Sequence, residues 1–332
     1  MNLDEINKLF EGFKSMNLMV IGDVMLDSYI TGTVDRISPE APVPVVSKTD
    51  HYNRLGGAAN VALNIKITGA NPILCSIIGN DASGKMFIDL LKKSEINTDM
   101  ILVDNNRKTS NKTRIISNGQ HLLRIDDEEI NDINDTQLKS ILKLIEEKIA
   151  TTKIDALIIQ DYNKGLLTEE LIKKIINLAN KNKIPVCVDP KRKNFNTYKN
   201  IALFKPNFKE FRDGLNIEIN RNDEESIIKY AKEFIENNNI ENIMITMSEL
   251  GVFICNKDEE FFIPAHKRDI VDVSGAGDTV ISVASLCYVS KLNLYHIAYI
   301  SNLAGGLVCE KIGVVACDIN NLKEEMCKYL IS

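Results

Sequence analysis

Short apolar runs alternate with helical stripes along most of the chain. Residues 17–22 (N-L-M-V-I-G), 72–78, 154–160, 185–188 and 242–247 are apolar, often β-branched, and too short for buried helices, so each reads as a buried strand. Residues 61–68, 136–149, 168–180 and 223–237 carry helical periodicity instead, with Thr168 as an N-cap. Ile6, Leu9, Phe10 and Phe13 have the same spacing near the start. Strand and helix in alternation predict an α/β fold around a mostly parallel sheet.

Two stretches break that rhythm. Residues 38–46 (S-P-E-A-P-V-P-V-V) place Pro39, Pro42 and Pro44 where a central strand would need N–H donors, so they belong to an edge or a projecting flap. Residues 113–117 and 121–125 flank Asn118-Gly119, a two-residue hairpin signal. Flap and hairpin together predict a small second sheet. Residues 251–255 and 260–263 form a further antiparallel pair, and residues 294–310 an apolar helix containing Asn302 and Gly305-Gly306. Each of those glycines costs about 1 kcal/mol relative to alanine, which points to a close approach by ligand or helix.

Composition narrows the function. A chain of 332 residues, 44% hydrophobic and 26% charged, supports a sizeable core. A net charge of -6 and a pI near 5.5 argue against nucleic acid as a main partner. The N-terminus lacks the basic start of a secretory signal and no apolar run reaches membrane length, so a cytoplasmic protein without a membrane partner is expected. Seven scattered cysteines read as buried free thiols, and the four histidines are too far apart for a zinc motif.

The candidate chemistry centres on residues 271–279, V-D-V-S-G-A-G-D-T. Gly275, Ala276 and Gly277 let backbone N–H groups face an anion at a helix start, and Asp278 supplies a base beside it. That pairing suits phosphoryl transfer, although a glycine-rich turn before a helix explains the motif equally well by itself. Asp27 follows a strand end, where open α/β sheets bind ligands, and is a sugar contact or a turn residue. Gly56, Gly57 and Asn60 open a helix and suit either ligand approach or helix packing. Arg124 lies in the hairpin. Asp161 with Lys164, and Asp189 with Lys191, follow two further strand ends. Asn207 and Glu210 sit one turn apart, placed to hold Mg²⁺ through water or to form a helix cap. G-N-D-A-S-G-K at residues 79–85 imitates a phosphate-binding P-loop, but Met86 stands where a hydroxyl should hold the metal, so a capped strand-to-helix turn is expected.

Taken in order, G-G-A-A-N at Gly56, P-N-F-K-E at Pro206, T-M-S-E-L-G at Thr246 and D-V-S-G-A-G-D at Asp272 resemble the PfkB, or ribokinase-like, sugar kinases over nearly the whole chain. G-D-V-M-L-D at Gly22, R-I-S-P-E-A-P-V-P-V at Arg36 and D-Y-N-K-G at Asp161 are similar to the branch acting on D-glycero-β-D-manno-heptose 7-phosphate, the kinase half of bifunctional ADP-heptose synthesis enzymes. The resemblance implies a ribokinase-like three-layer α/β/α fold, with a mostly parallel central sheet and a β-sheet lid from about residues 28–50 and 109–126. It implies one kinase domain over residues 1–332 without the nucleotidyltransferase domain, ATP and Mg²⁺, and a homodimer through the lid. Asp278 becomes the base and Gly275, Ala276 and Gly277 the anion hole, while Asp27, Gly56, Gly57 and Asn60 hold the sugar. Arg124, Asp161, Lys164 and Lys191 are the remaining substrate candidates. Asn207, Lys209 and Glu210 serve the nucleotide phosphates and Mg²⁺, and Thr246, Ser248, Glu249, Gly251 and Asn302 line the nucleotide pocket. Asp272 and Ser274 match a K⁺ loop. One departure is Met247, where this branch usually carries arginine; Lys205 or Lys209 is the candidate replacement. Fructose 6-phosphate, a hexose or ribose is the alternative acceptor.

Overall fold

The computed structural model describes residues 1–330. Its strands, in chain order, are β1 (Asn17–Gly22), β2 (Val24–Ile37), β3 (Pro44–Gly57), β4 (Asn71–Gly79), β5 (Ile101–Asp104), β6 (Asn111–Ser117), β7 (Gln120–Asp127), β8 (Ala156–Gln160), β9 (Val186–Asp189), β10 (Ile201–Phe204), β11 (Ile240–Thr246), β12 (Val252–Cys255) and β13 (Glu260–Ile263). Nine of them form one sheet in the order β13-β12-β11-β10-β9-β8-β1-β4-β5. It is parallel from β5 to β11 and bordered by antiparallel β12 and β13.

Side-chain alternation along β1 explains the layers. Leu18 and Val20 enter one core with helices Ala58–Ile67, Ala276–Val289 and Leu294–Val308; Met19 and Ile21 enter the other with helices Asp135–Thr151, Glu169–Lys181 and Glu224–Asn238. Strands covered on both faces need apolar residues at every position, hence the continuous runs in the sequence. Every residue from Asp278 to Cys287 is buried, because helix Ala276–Val289 lies between the sheet and its neighbouring helices. Gly305 permits that packing: a Cβ there would lie 2.7 Å from Val280 Cγ2. Among the described residues no helix is long and apolar enough to cross a membrane.

The second sheet has the order β3-β2-β6-β7 and stands over the C-terminal ends of the parallel strands, since only Asp23 separates the end of β1 from the start of β2. Pro39 and Pro42 lie in the tip between β2 and β3, and Pro44 opens β3, an edge strand where a missing N–H is harmless. Asn118 (φ 51°) and Gly119 (φ 77°) are both left-handed, as a tight type I′ hairpin requires.

One local reading needs correction, two elements are additional, and one expected turn forms. Gly56 and Gly57 close β3 rather than open a helix, with Gly57 (φ 61°) making the corner into helix Ala58–Ile67. Strand β5 and helix Ile319–Leu330 were not foreseen; a four-residue edge strand is too short for a periodic signal. At the P-loop imitation the capped turn forms. Asp81 accepts the Gly84 N–H at 2.7 Å and the Thr109 N–H at 2.8 Å, so an amide a phosphate cradle would use is already taken.

Candidate active site

Asp278 lies in the first turn of its helix, beside the ends of β8 and β9, and is only 3% exposed. Burial pushes its carboxyl up to about 6, opposed by hydrogen bonds from Asn60 and Tyr162. Asn60 Nδ2 donates to Oδ2 at 2.8 Å; Tyr162 and Gln160 donate to Oδ1 at 2.7 and 3.1 Å. Gly275 precedes the helix at φ 83°, and a Cβ there would sit 2.9 Å from Asn60 Nδ2. Glycine is needed twice over at that position.

Of the three predicted anion-hole donors, Ala276 N–H turns to the Val273 carbonyl at 3.3 Å, while the Gly275 and Gly277 N–H groups meet no acceptor among the described residues. The open donors are therefore those of the two glycines, at the positive end of a helix. Lys205 faces the same spot: it is 2% exposed, pairs with Asp189 Oδ2 at 3.0 Å, and its Nζ would lie 3.5 Å from a Cβ at Gly277. Met247 is buried in the second core and Lys209 is exposed on its helix, so of the two lysines considered, Lys205 is the one beside the hole.

On the side of the small sheet, Asp27 (2% exposed) forms an ion pair with Arg114. Its Oδ2 would be only 2.1 Å from a Cβ at Gly56, which is why that position has no side chain. Arg114 was missed; its strand, N-K-T-R-I-I-S, holds a second cation in Lys112, and nothing local marks Arg114 as the partner of Asp27. Lys164 pairs with Glu128, Lys112 with Glu128 and Asp126, and Arg124 with Asp126. Lys191 is elsewhere. It pairs with Glu210 and lies over the Tyr162 ring, which moves it from the predicted substrate-phosphate group to the Asn207–Glu210 corner.

Asp161 also needs correction. It is fully buried, and its carboxylate takes Tyr198 Oη at 2.8 Å, Asn194 Nδ2 at 3.0 Å and the Asn163 N–H at 2.8 Å. A carboxylate so occupied holds its own loop and does not reach a sugar. The residue of D-Y-N-K-G that touches the centre is Tyr162.

Across Gly277 opens a cavity of about 510 Å³. Thr246, Ser248, Glu249, Gly251 and Asn302 all line it, together with Gly305 and Gly306. Its size suits a small organic ligand. A larger hollow of about 810 Å³ lies at the opposite ends of β9, β10 and β11 and contains none of the predicted residues. Asn207 and Glu210 form a reciprocal cap, Asn207 Oδ1 accepting at 2.8 Å and Glu210 Oε2 at 2.9 Å. Each Glu210 oxygen thus carries one protein donor and keeps a second acceptor site, which fits Mg²⁺ held through water. Among the described residues no three of His, Cys, Asp and Glu gather into a direct metal site. Asp272 accepts from Ser274 N–H at 2.9 Å and Gly313 N–H at 2.8 Å, joining two loops next to the glycine turn.

The chain matches the family model described as "pfkB family carbohydrate kinase" over residues 15–321. A protein named "Bifunctional protein HldE" from Aliarcobacter butzleri is 41% identical over 312 residues, 94% of this chain and 64% of that protein. Another of that name from Syntrophotalea carbinolica is 33% identical over 332 residues, 100% of this chain and 67% of that protein. The chain thus spans roughly two thirds of the length of the curated relatives it matches. In shape it is similar to phosphofructokinase-2 from Escherichia coli, solved in complex with potassium, with a TM-score of 0.78, 18% identity, and coverage of 95% of this chain and 99% of that one. A nucleotide-sized cavity, two open amides at a helix start and a buried carboxylate between them and the small sheet match this relationship: the chain belongs to the pfkB family of carbohydrate kinases and is an ATP-dependent sugar kinase.

Proposed function

We propose that this kinase transfers the γ-phosphoryl group of ATP to the anomeric hydroxyl of D-glycero-β-D-manno-heptose 7-phosphate, yielding the 1,7-bisphosphate for ADP-heptose synthesis towards a lipopolysaccharide core or S-layer glycan. The observation carrying this reading is the placement of Asp278, with the open glycine amides and cavity on one side and Asp27, Gly56 and Asn60 on the other. The HldE similarity and the Arg36–Val45 string support a heptose over another sugar.

Asp278 takes the hydroxyl proton as the sugar oxygen attacks phosphorus, and the Gly275 and Gly277 amides with Lys205 receive the charge on the transferring group. The nucleotide lies in the cavity lined by Thr246 to Gly251 and Asn302. Glu210 and Asn207 would hold Mg²⁺ through water, where the ion offsets charge on the nucleotide phosphates. The cations around Glu128 and Asp126, with Arg114, are the group that meets the sugar's own phosphate. Asp272 and Ser274 are the candidate K⁺ position. The small sheet acts as a lid, and exposed Leu123 and Ile125 on its edge strand β7 supply a dimer contact in a cytoplasmic enzyme.

Phosphorus NMR of the product from ATP and heptose 7-phosphate tests reaction, position and anomer together. A new anomeric phosphate signal is expected, and turnover confined to fructose 6-phosphate or a free pentose would overturn the substrate. Asp278→Asn should lower kcat about 10²–10⁴-fold while ATP still binds. With the carboxyl raised to about 6 and needed unprotonated, kcat should fall as pH drops through that value.

A further inference from the structure

The D-Y-N-K-G loop after β8 is clamped by two buried carboxylates. Asp23, 3% exposed at the turn between β1 and β2, accepts the N–H groups of Tyr162, Lys164 and Leu166 at 3.0, 3.0 and 3.2 Å. Asp161 grips the loop from inside through Asn163, Asn194 and Tyr198, and Asn163 takes a left-handed conformation (φ 53°) to allow it. The result of both clamps is one direction for the Tyr162 hydroxyl, onto Asp278 Oδ1.

Gln160 reaches the same oxygen. Its Nε2 donates to Asp278 Oδ1 at 3.1 Å and to Asp189 Oδ2 at 3.0 Å, while its Oε1 is buried without a donor. The opposite amide orientation would set that oxygen against two carboxylates, so the orphaned acceptor is the lesser cost. A carboxylate oxygen offers about two acceptor sites. Oδ1 has both filled, by Tyr162 and Gln160, whereas Oδ2 has one filled, by Asn60.

We infer that Oδ2 is the atom of Asp278 that receives the sugar proton, and that Tyr162 and Gln160 are positioning residues which occupy Oδ1 and hold the base charged and oriented. The inference rests on the proposed role of Asp278 as the base. In the step, the sugar O–H bond breaks and its proton goes to Oδ2. The sugar oxygen bonds to the γ-phosphorus, and the bond from that phosphorus to the bridging oxygen breaks, leaving its electron pair on ADP. The charged groups facing this arrangement are Asp189 from the end of β9, Lys205 after β10, Lys191 over the Tyr162 ring, and Asp27 from the small sheet.

Tyr162→Phe removes one donor and keeps the ring beneath Lys191. A hydrogen bond to an ionised carboxylate favours its charged form, so its loss should move the acid limb of the kcat–pH profile upward by about one unit. It should lower kcat about 10- to 100-fold and leave the KM for ATP within about twofold. Gln160→Met, which fills similar space without a donor, should move the limb in the same direction. An unmoved limb in either variant that folds, checked by thermal melting, overturns the assignment, as does a change confined to KM or melting temperature. Asp278→Asn separates the two levels. If that variant is inactive while Tyr162→Phe keeps the wild-type profile, only the positioning role fails; if it turns over normally, the reading of Asp278 as base fails beneath it.

Discussion

The two sides of Asp278 are built on different principles. The nucleotide side is an open cavity edged by Gly277, Gly305, Gly306 and Gly251, with Arg268, held by Glu310 and Glu325, in its wall against Gly306. On the sugar side, Asp27, Arg114, Lys112, Lys164, Arg124, Asp126 and Glu128 are joined in ion pairs across four segments of chain. One side is shaped mostly by what is left out, the other mostly by charges that already hold one another. Under the proposed reading, a nucleotide entering the first finds a ready space, whereas a sugar phosphate entering the second would exchange partners with resident carboxylates.

That contrast can be broken by matched substitutions. The largest effect is expected from Arg114→Gln, which leaves Asp27 buried without its cation. Loss of one partner from such a pair costs about 3–5 kcal/mol, so stability should fall by that order and the KM for sugar should rise while the KM for ATP holds. Denaturant unfolding and steady-state kinetics check it, and an unchanged midpoint would mean the sugar-side charges do not depend on one another. Gly251→Ala should act on the other side. Its φ of 94° and a Cβ 2.1 Å from the Ile263 carbonyl oxygen predict a loss of about 1–3 kcal/mol and a raised KM for ATP with sugar affinity kept. The smallest effect belongs to Lys209→Ala. An exposed lysine away from the hole should change stability by less than about 0.5 kcal/mol and either KM by less than twofold, and a larger rise in the KM for ATP would restore it to the phosphate group.

A fourth test addresses the seam between the sides. Asp278 is raised in the folded state, so its charge opposes folding above about pH 6 and that penalty disappears as the group protonates below it. Asp278→Asn should therefore melt higher than the parent at pH 8, with the gap closing towards pH 5. A gap that stays constant with pH would place the charge in a more solvated setting than its 3% exposure indicates.

Legibility in the sequence follows the same division. Thr246, Ser248, Gly251 and Gly275 to Asp278 are contiguous with the strand or helix that places them, so a local pattern finds them. Arg114, Gln160 and Tyr162 carry no local mark, because their roles depend on partners 87, 118 and 116 residues away. Asp161 misled for the same reason: a carboxylate at a strand end looks alike whether it faces a ligand or a buried tyrosine. The strands were readable because burial on both faces demands unbroken apolar runs, and the proline flap and Asn118-Gly119 because backbone geometry admits few residues there.

The sequence by itself determined the layered α/β architecture, the edge hairpins and the glycine turn before Asp278, since each is a consequence of local sterics and of which residues avoid water. Only the tertiary structure decided which oxygen of Asp278 is open, which lysine stands at the anion hole, and which carboxylates are spent on holding loops. Those outcomes are set by hydrogen-bond and charge partners that meet only after the chain has packed, and a desolvated polar group takes whichever partner the fold brings within about 3 Å.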